Sequence, residues 1–179
     1  MAESGERPLA QARRGLFELY RARGETVWIE AVGSSMLPSI VDGDWLLVQF
    51  GHGRPAIGEI VVFSLGGQIV VHRVVRRRRA GGTLVAKGDA RLDFDAPVHQ
   101  DQVLGIVRAV RTGADGPAVD RACGGARAAA AAVLSAAVAD VASSARRLPA
   151  PLERLLLRLA ARPLRIALGL VVGPGGRGG

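Results

Sequence analysis

The sequence predicts a mainly β protein: a small twisted β fold with an N-terminal helix and an α-helical C-terminal tail. Three observations predict it. Short β-rich runs recur between Thr26 and Arg111, punctuated by Asp42-Gly43-Asp44, Gly66-Gly67 and Gly81-Gly82. Helical spacing before that point is confined to the stretch that Gly24 ends. Beyond Arg111 the composition changes to alanine, leucine and arginine. Short strands with turn signals at regular spacing bury a common core only as a compact sheet.

Leu9 to Arg23 reads as a helix, with Leu9, Leu16, Phe17 and Tyr20 at helical spacing behind Pro8. Thr26 to Val32 and Trp45 to Phe50 are β-rich and flank a serine-containing turn. Two hairpins follow, Glu59 to Ser64 with Ile69 to Arg79, and then Thr83 to Lys87. An acidic loop, residues 88–101, leads to a last strand, Val103 to Arg111. The expected organisation is an N-terminal helix over 1–25, a β domain over 26–112 and a linker over 113–125. A basic Ala/Leu-rich helical tail is expected over 126–172, and 173–179 reads as disordered by composition.

Charge separates these parts. Residues 1–120 hold 15 basic and 14 acidic residues, whereas residues 121–179 hold nine arginines against Asp140 and Glu153. The basic tail, with Leu152, Leu155, Leu156 and Leu159 on one face, suits peripheral contact with an anionic membrane through 126–172, or packing on its own domain or on a partner. The arginines 76–79 come with no aromatic platform, so a nucleic-acid partner is not expected. Cys123 stands alone and excludes an internal disulfide. The first residues are polar and charged, unlike a signal peptide, and no uninterrupted apolar run of membrane-spanning length is evident. The expected location is cytoplasmic or peripheral to a membrane. His52, His72 and His99 lack ligand-like spacing, so no metal and no cofactor is expected.

One stretch does not fit a plain loop or a core strand: "AVGSSMLPSIVDGD", residues 31–44. Serines at a glycine turn, followed by apolar Met36 and Leu37, suggest a hydroxyl held for chemistry. A serine needs a base to take its proton. His72 is the histidine that falls within a predicted strand, where alternation places Val70, His72 and Val74 on one face and Val71, Arg73 and Val75 on the other. A carboxylate on the other ring nitrogen would orient such a base. The acidic loop offers Asp89, Asp93 and Asp95, while Asp42 and Asp44 suit turn hydrogen bonds. The plainer readings are a satisfied core histidine and a solvated acidic loop.

Six boxes occur in order: Gly33-Ser34-Ser35-Met36-Leu37-Pro38, Gly43-Asp44, Gly58-Glu59-Ile60-Val61-Val62-Phe63, His72-Arg73-Val74-Val75, Lys87-Gly88-Asp89 and Gly105-Ile106-Val107. Over about residues 27–110 the chain resembles the type I signal peptidase superfamily, which includes the LexA-like self-cleaving proteases. The His-Arg-Val and Lys-Gly-Asp boxes resemble its archaeal and endoplasmic-reticulum branch. The resemblance implies Ser35 as nucleophile, His72 as general base, and Asp89 or Asp95 as its acidic partner. It implies an oxyanion hole at the Ser35 N–H, with support from Gly33 and Ser34. Met36 and Leu37 are expected to anchor the loop and to line the substrate cleft. Lys87 competes with His72 as base and ranks below it. The implied activity is a serine endopeptidase acting on an extended polypeptide substrate after small residues. The alternatives are an intracellular LexA-like protease that cuts itself or one partner, and a catalytically silent peptide- or nucleic-acid-binding module.

Overall fold

A computed structural model describes residues 6–78, 82–117 and 124–145. Helix α1 (Glu6–Arg23) leads into strands β1 (Thr26–Glu30), β2 (Asp44–Phe50), β3 (Ile60–Leu65), β4 (Gln68–Arg77) and β5 (Thr83–Lys87). Strand β6 (Val98–His99), a single 3-10 turn (Gln100–Gln102), β7 (Val103–Thr112) and helix α2 (Gly125–Ala145) complete the described chain. The strands form one antiparallel sheet in the order β1-β2-β7-β3-β4-β5-β6. The mainly β class and the two flanking helices agree with the sequence reading. The acidic loop does not stay irregular throughout: Val98 pairs with Leu84 and His99 with Thr83. Two residues are too few for a periodic signal to reveal.

Strand β3 is apolar at successive positions because both its faces are covered. Ile60 and Val62 join a core with Leu46, Val48, Phe50, Leu104, Val107 and Val110, while Val61 and Phe63 join another with Val74, Leu84, Ala86, Val98 and Ile106. Bulges keep β7 serving both cores. It has one extra residue against β3 and another against β2, and each reverses the inward–outward alternation. Helix α1 closes the first core with Phe17 and Tyr20, whose rings lie 5.2 and 5.4 Å from that of Phe50.

The described part of the C-terminal region packs on the β domain. Ala132 and Ala136 of α2 form a cluster with Val75, against which Ile57, Val85 and Phe94 pack. By length and composition α2 is also apolar enough to cross a membrane, with mean hydropathy 1.4 over Gly125–Ser144. Arg127 and Asp140 interrupt it, in keeping with the expectation that no clear membrane span is encoded. The leucine-rich segment 152–161 and the glycine-rich end lie outside the described residues.

Candidate active site

The serine turn leaves β1 and returns to β2 as a closed loop. Ala31 N–H donates to the Asp44 carbonyl (2.8 Å), and Gly43 N–H donates to the Ala31 carbonyl (2.9 Å). Asp42 and Asp44 act as turn residues, their carboxylates accepting from Gly33 N–H (2.7 Å) and Val41 N–H (2.9 Å). Met36 and Ile40 are buried in the first core and pin the loop. Ser35 beside them stays half-buried. Gly33 adopts φ 102°, a left-handed conformation that side chains disfavour.

His72 sits on β4 opposite Val61, with the Phe63 ring 6.3 Å away in an edge-on arrangement. Its Nε2 lies 3.1 Å from Ser35 Oγ and its Nδ1 lies 2.6 Å from Asp95 Oδ2. With the proton on Nδ1, the ring donates to Asp95 and leaves Nε2 to accept from the serine hydroxyl. Asp95 is itself placed by its N–H, which donates to the Ala86 carbonyl on β5 (3.0 Å). Three residues separated in sequence by 37 and 23 positions thus form one hydrogen-bonded line.

The structure brings Asp95 to His72 and sends Asp89 elsewhere. Asp89 accepts from Arg73 Nε (2.9 Å) and Nη2 (2.7 Å) in a pair whose side chains are 4% and 6% exposed. Arg73 also donates to the Gly58 carbonyl (2.8 Å) and Ser39 Oγ (3.2 Å). Lys87 does not approach as a second base. Its Nζ donates to the carbonyls of Gly88 and Arg91. Burial pushes the ammonium below the ordinary lysine value of 10.5; Asp89 and Asp95 oppose that shift and Arg73 adds to it.

A cleft of about 780 Å³ opens over this line. Ile29–Val32 form one wall and Ile69–His72 another, with Arg91 and Asp95 also lining it. Met36 lines it; Leu37, 39% exposed, is not among the lining residues. In the Gly33-Ser34 region expected to support an oxyanion, the Gly33 N–H donates to Asp42. Among the described residues no group of three His, Cys, Asp or Glu side chains converges as for a metal ion. His52 lies beside Arg21 and His99 beside Asp101, both away from His72.

Two contributions escaped the sequence reading. Helix α1 forms part of the cleft through Ala12, Arg13 and Leu16, and helical spacing alone does not say what a helix covers. Gly88 matters by its missing side chain: a Cβ there would lie 2.6 Å from the Ser35 carbonyl and 3.0 Å from His72 Nε2. The adjoining Ala90 N–H donates to that same Ser35 carbonyl (2.9 Å). A signal for the buried Arg73 was present, since an arginine between valines on a covered face requires a buried anion.

This sheet, with a serine, a histidine and an aspartate aligned under a cleft, fits a protein of the LexA-like peptidase kind. The Peptidase S24-like family model matches residues 6–108, and the chain belongs to that family. This places it in the superfamily that joins LexA-like proteases and signal peptidases. No curated protein matches the chain.

Proposed function

We propose that the protein is a serine endopeptidase of the signal peptidase type, with Ser35 as nucleophile, His72 as general base and Asp95 as the residue that orients it. The observation that carries this reading is the Ser35–His72–Asp95 line at the floor of the cleft. Ser35 Oγ attacks the scissile carbonyl carbon as its proton passes to His72 Nε2. The Ser35 N–H stabilises the oxyanion that forms. Collapse of this intermediate breaks the C–N bond, and the imidazolium returns the proton to the departing amine. Water, deprotonated by the same imidazole, then attacks the acyl ester and releases Ser35.

The backbone around the cleft supports an extended substrate. Strand β1 is terminal in the sheet, and β5 pairs with β4 only from Arg73 onward. The Gln68–His72 half of β4 therefore keeps one unpaired edge beside the wall formed by β1 and the residues after it. An extended peptide laid between them would find backbone donors and acceptors on both sides. The preference for small residues before the cut rests on the family resemblance. Incubation of the purified protein with a panel of signal-peptide-bearing substrates, with cuts mapped by mass spectrometry, tests the reading. Cleavage after small residues that vanishes in Ser35→Ala supports it. Cleavage confined to the chain itself would assign the self-cleaving alternative instead.

A further inference from the structure

Helix α2 presents small side chains to the β domain. Ala128, Ala132, Ala136, Ala139 and Ala142 are almost wholly buried along it. Two of its contacts lead directly to the acids of the site. The first runs through Phe94, the residue before Asp95. Phe94 packs on the cluster of Val75, Ala132 and Ala136, and the Arg76 guanidinium lies 4.6 Å from its ring centroid. Arg76 in turn pairs with Asp140 of α2. Phe94 is therefore held by the helix itself and by a side chain the helix engages.

The second contact runs through Gly58. A Cβ at that position would fall 2.4 to 2.7 Å from the backbone of Ala128 and Ala129, so helix and loop touch main chain to main chain. The Gly58 carbonyl accepts from Arg73, which holds Asp89. Helix α2 thus rests on supports of both acidic residues. The first half of the loop is tied down through Asp89, Ala90 and Arg91, and at its far end Asp95 N–H bonds to Ala86 before the chain re-enters the sheet at Val98. An Asp95 carboxylate displaced by about 1 Å no longer fixes the imidazole, and misplacement of that size costs on the order of 100-fold in rate.

We propose that α2 is a positioning element of the catalytic centre: by packing on Val75 and Phe94 and seating on Gly58, it holds Asp95 against His72, so that turnover requires the docked helix. This rests on the Ser35–His72–Asp95 reading above. The helix enters no chemical step. It acts through Phe94, and the interface of alanines makes the arrangement sensitive to a single larger or charged side chain.

The test uses the full chain with Ala136→Asp, which puts a charge into the cluster, and Phe94→Ala, which removes the link without touching the helix. Phe94→Leu is the conservative rescue. Each variant is read by kcat and KM on a cleaved peptide, by the sheet amide spectrum, and by the downfield proton resonance of the His72–Asp95 hydrogen bond. The expected result for Ala136→Asp and Phe94→Ala is a kcat lowered roughly 100-fold, with KM within about threefold, a lost downfield resonance and retained sheet amides. Phe94→Leu should recover most of the activity. In an Asp95→Ala background Ala136→Asp should cause no further loss, because both act on the same contact. Unchanged kcat and resonance in either variant, or full additivity with Asp95→Ala, would overturn the proposal. An active parent in which Ser35→Ala or Asp95→Ala is harmless would instead defeat the underlying catalytic reading.

Discussion

Two neighbouring residues of β4 make two acid–base pairs with the same loop, and they differ in almost every physical respect. His72 faces the cleft and takes Asp95, whose side chain is 17% exposed. Arg73 faces the other way and takes Asp89 in a pair sealed from water. The pleat alone separates them, since consecutive side chains of a strand point to opposite faces. One pair keeps a lone nitrogen beside Ser35 and can exchange a proton. The other spends its donors on Asp89, Gly58 and Ser39 and ties the serine loop to the sheet. The comparison teaches that a carboxylate's role here is decided by the face of the strand it meets, because accessibility determines whether a pair reacts or only holds.

The sharpest way to break this contrast is at the reactive side. Ser35→Ala should lower kcat on a cleaved peptide by on the order of 10⁴-fold or more, while Ser34→Ala, whose side chain is exposed, keeps most activity. Equal rates for Ser35→Ala and the parent would remove the nucleophile assignment. His72→Lys should be nearly inactive although it retains a basic nitrogen, because a flexible ammonium cannot bridge Ser35 and Asp95 in the same geometry.

The two acids should then fail differently. Asp95→Asn is expected to cost roughly 10²- to 10⁴-fold in kcat with little change in the denaturation midpoint. Asp89→Ala leaves a buried guanidinium without its counter-charge and should cost about 3–5 kcal/mol of stability, measured by urea unfolding. The double substitution Arg73→Met with Asp89→Leu should regain much of that loss, since it removes the burial cost of both charges. If Asp89→Ala were as stable as the parent while Asp95→Asn unfolded, the two roles would have to be exchanged.

Lys87 sharpens the comparison further because its charge interacts with both acids. Lys87→Ala should weaken the loop by freeing the Gly88 and Arg91 carbonyls, yet keep a measurable fraction of activity. A dead Lys87→Ala beside a normally active His72→Ala would make lysine the base. The smallest expected effect is on stability at alkaline pH. Lys87 has a folded-state pKa below its unfolded value of 10.5. Between those two values the unfolded chain binds a proton that the folded chain has released, so stability rises with pH across that window. Urea unfolding followed up to about pH 10.5 should show this rise in the parent and a smaller one in Lys87→Met.

Much of the site was legible in local pattern. The glycine-serine turn with Met36 behind it, and the histidine alternating with Val70 and Val74, mark a serine and a histidine as candidates; the family resemblance is what singles out Ser35 and gives His72 the role of base. Asp89 and Asp95 were not separable in the same way. Both follow β5 within a few residues, and nothing in spacing alone says which one folds back over Ala86. Met36 and Leu37 were not separable either: the turn buries Met36 and leaves Leu37 exposed. In the Gly33-Ser34 region, the Gly33 N–H goes to Asp42, a partner nine residues on that local pattern does not reveal.

By itself, then, the sequence determined the order and period of the strands, the turn that presents Ser35 and the face that carries His72, because each depends on residues close together in the chain. Tertiary structure alone decided that Asp95 rather than Asp89 meets the imidazole, that α1 lines part of the cleft and that α2 seats on Gly58 and Phe94. Those outcomes depend on where a bulge at Val75, a two-residue strand at Val98 and a helix distant in sequence bring the backbone in space. Hydrophobic periodicity records which side of an element is covered, but it carries no record of what covers it.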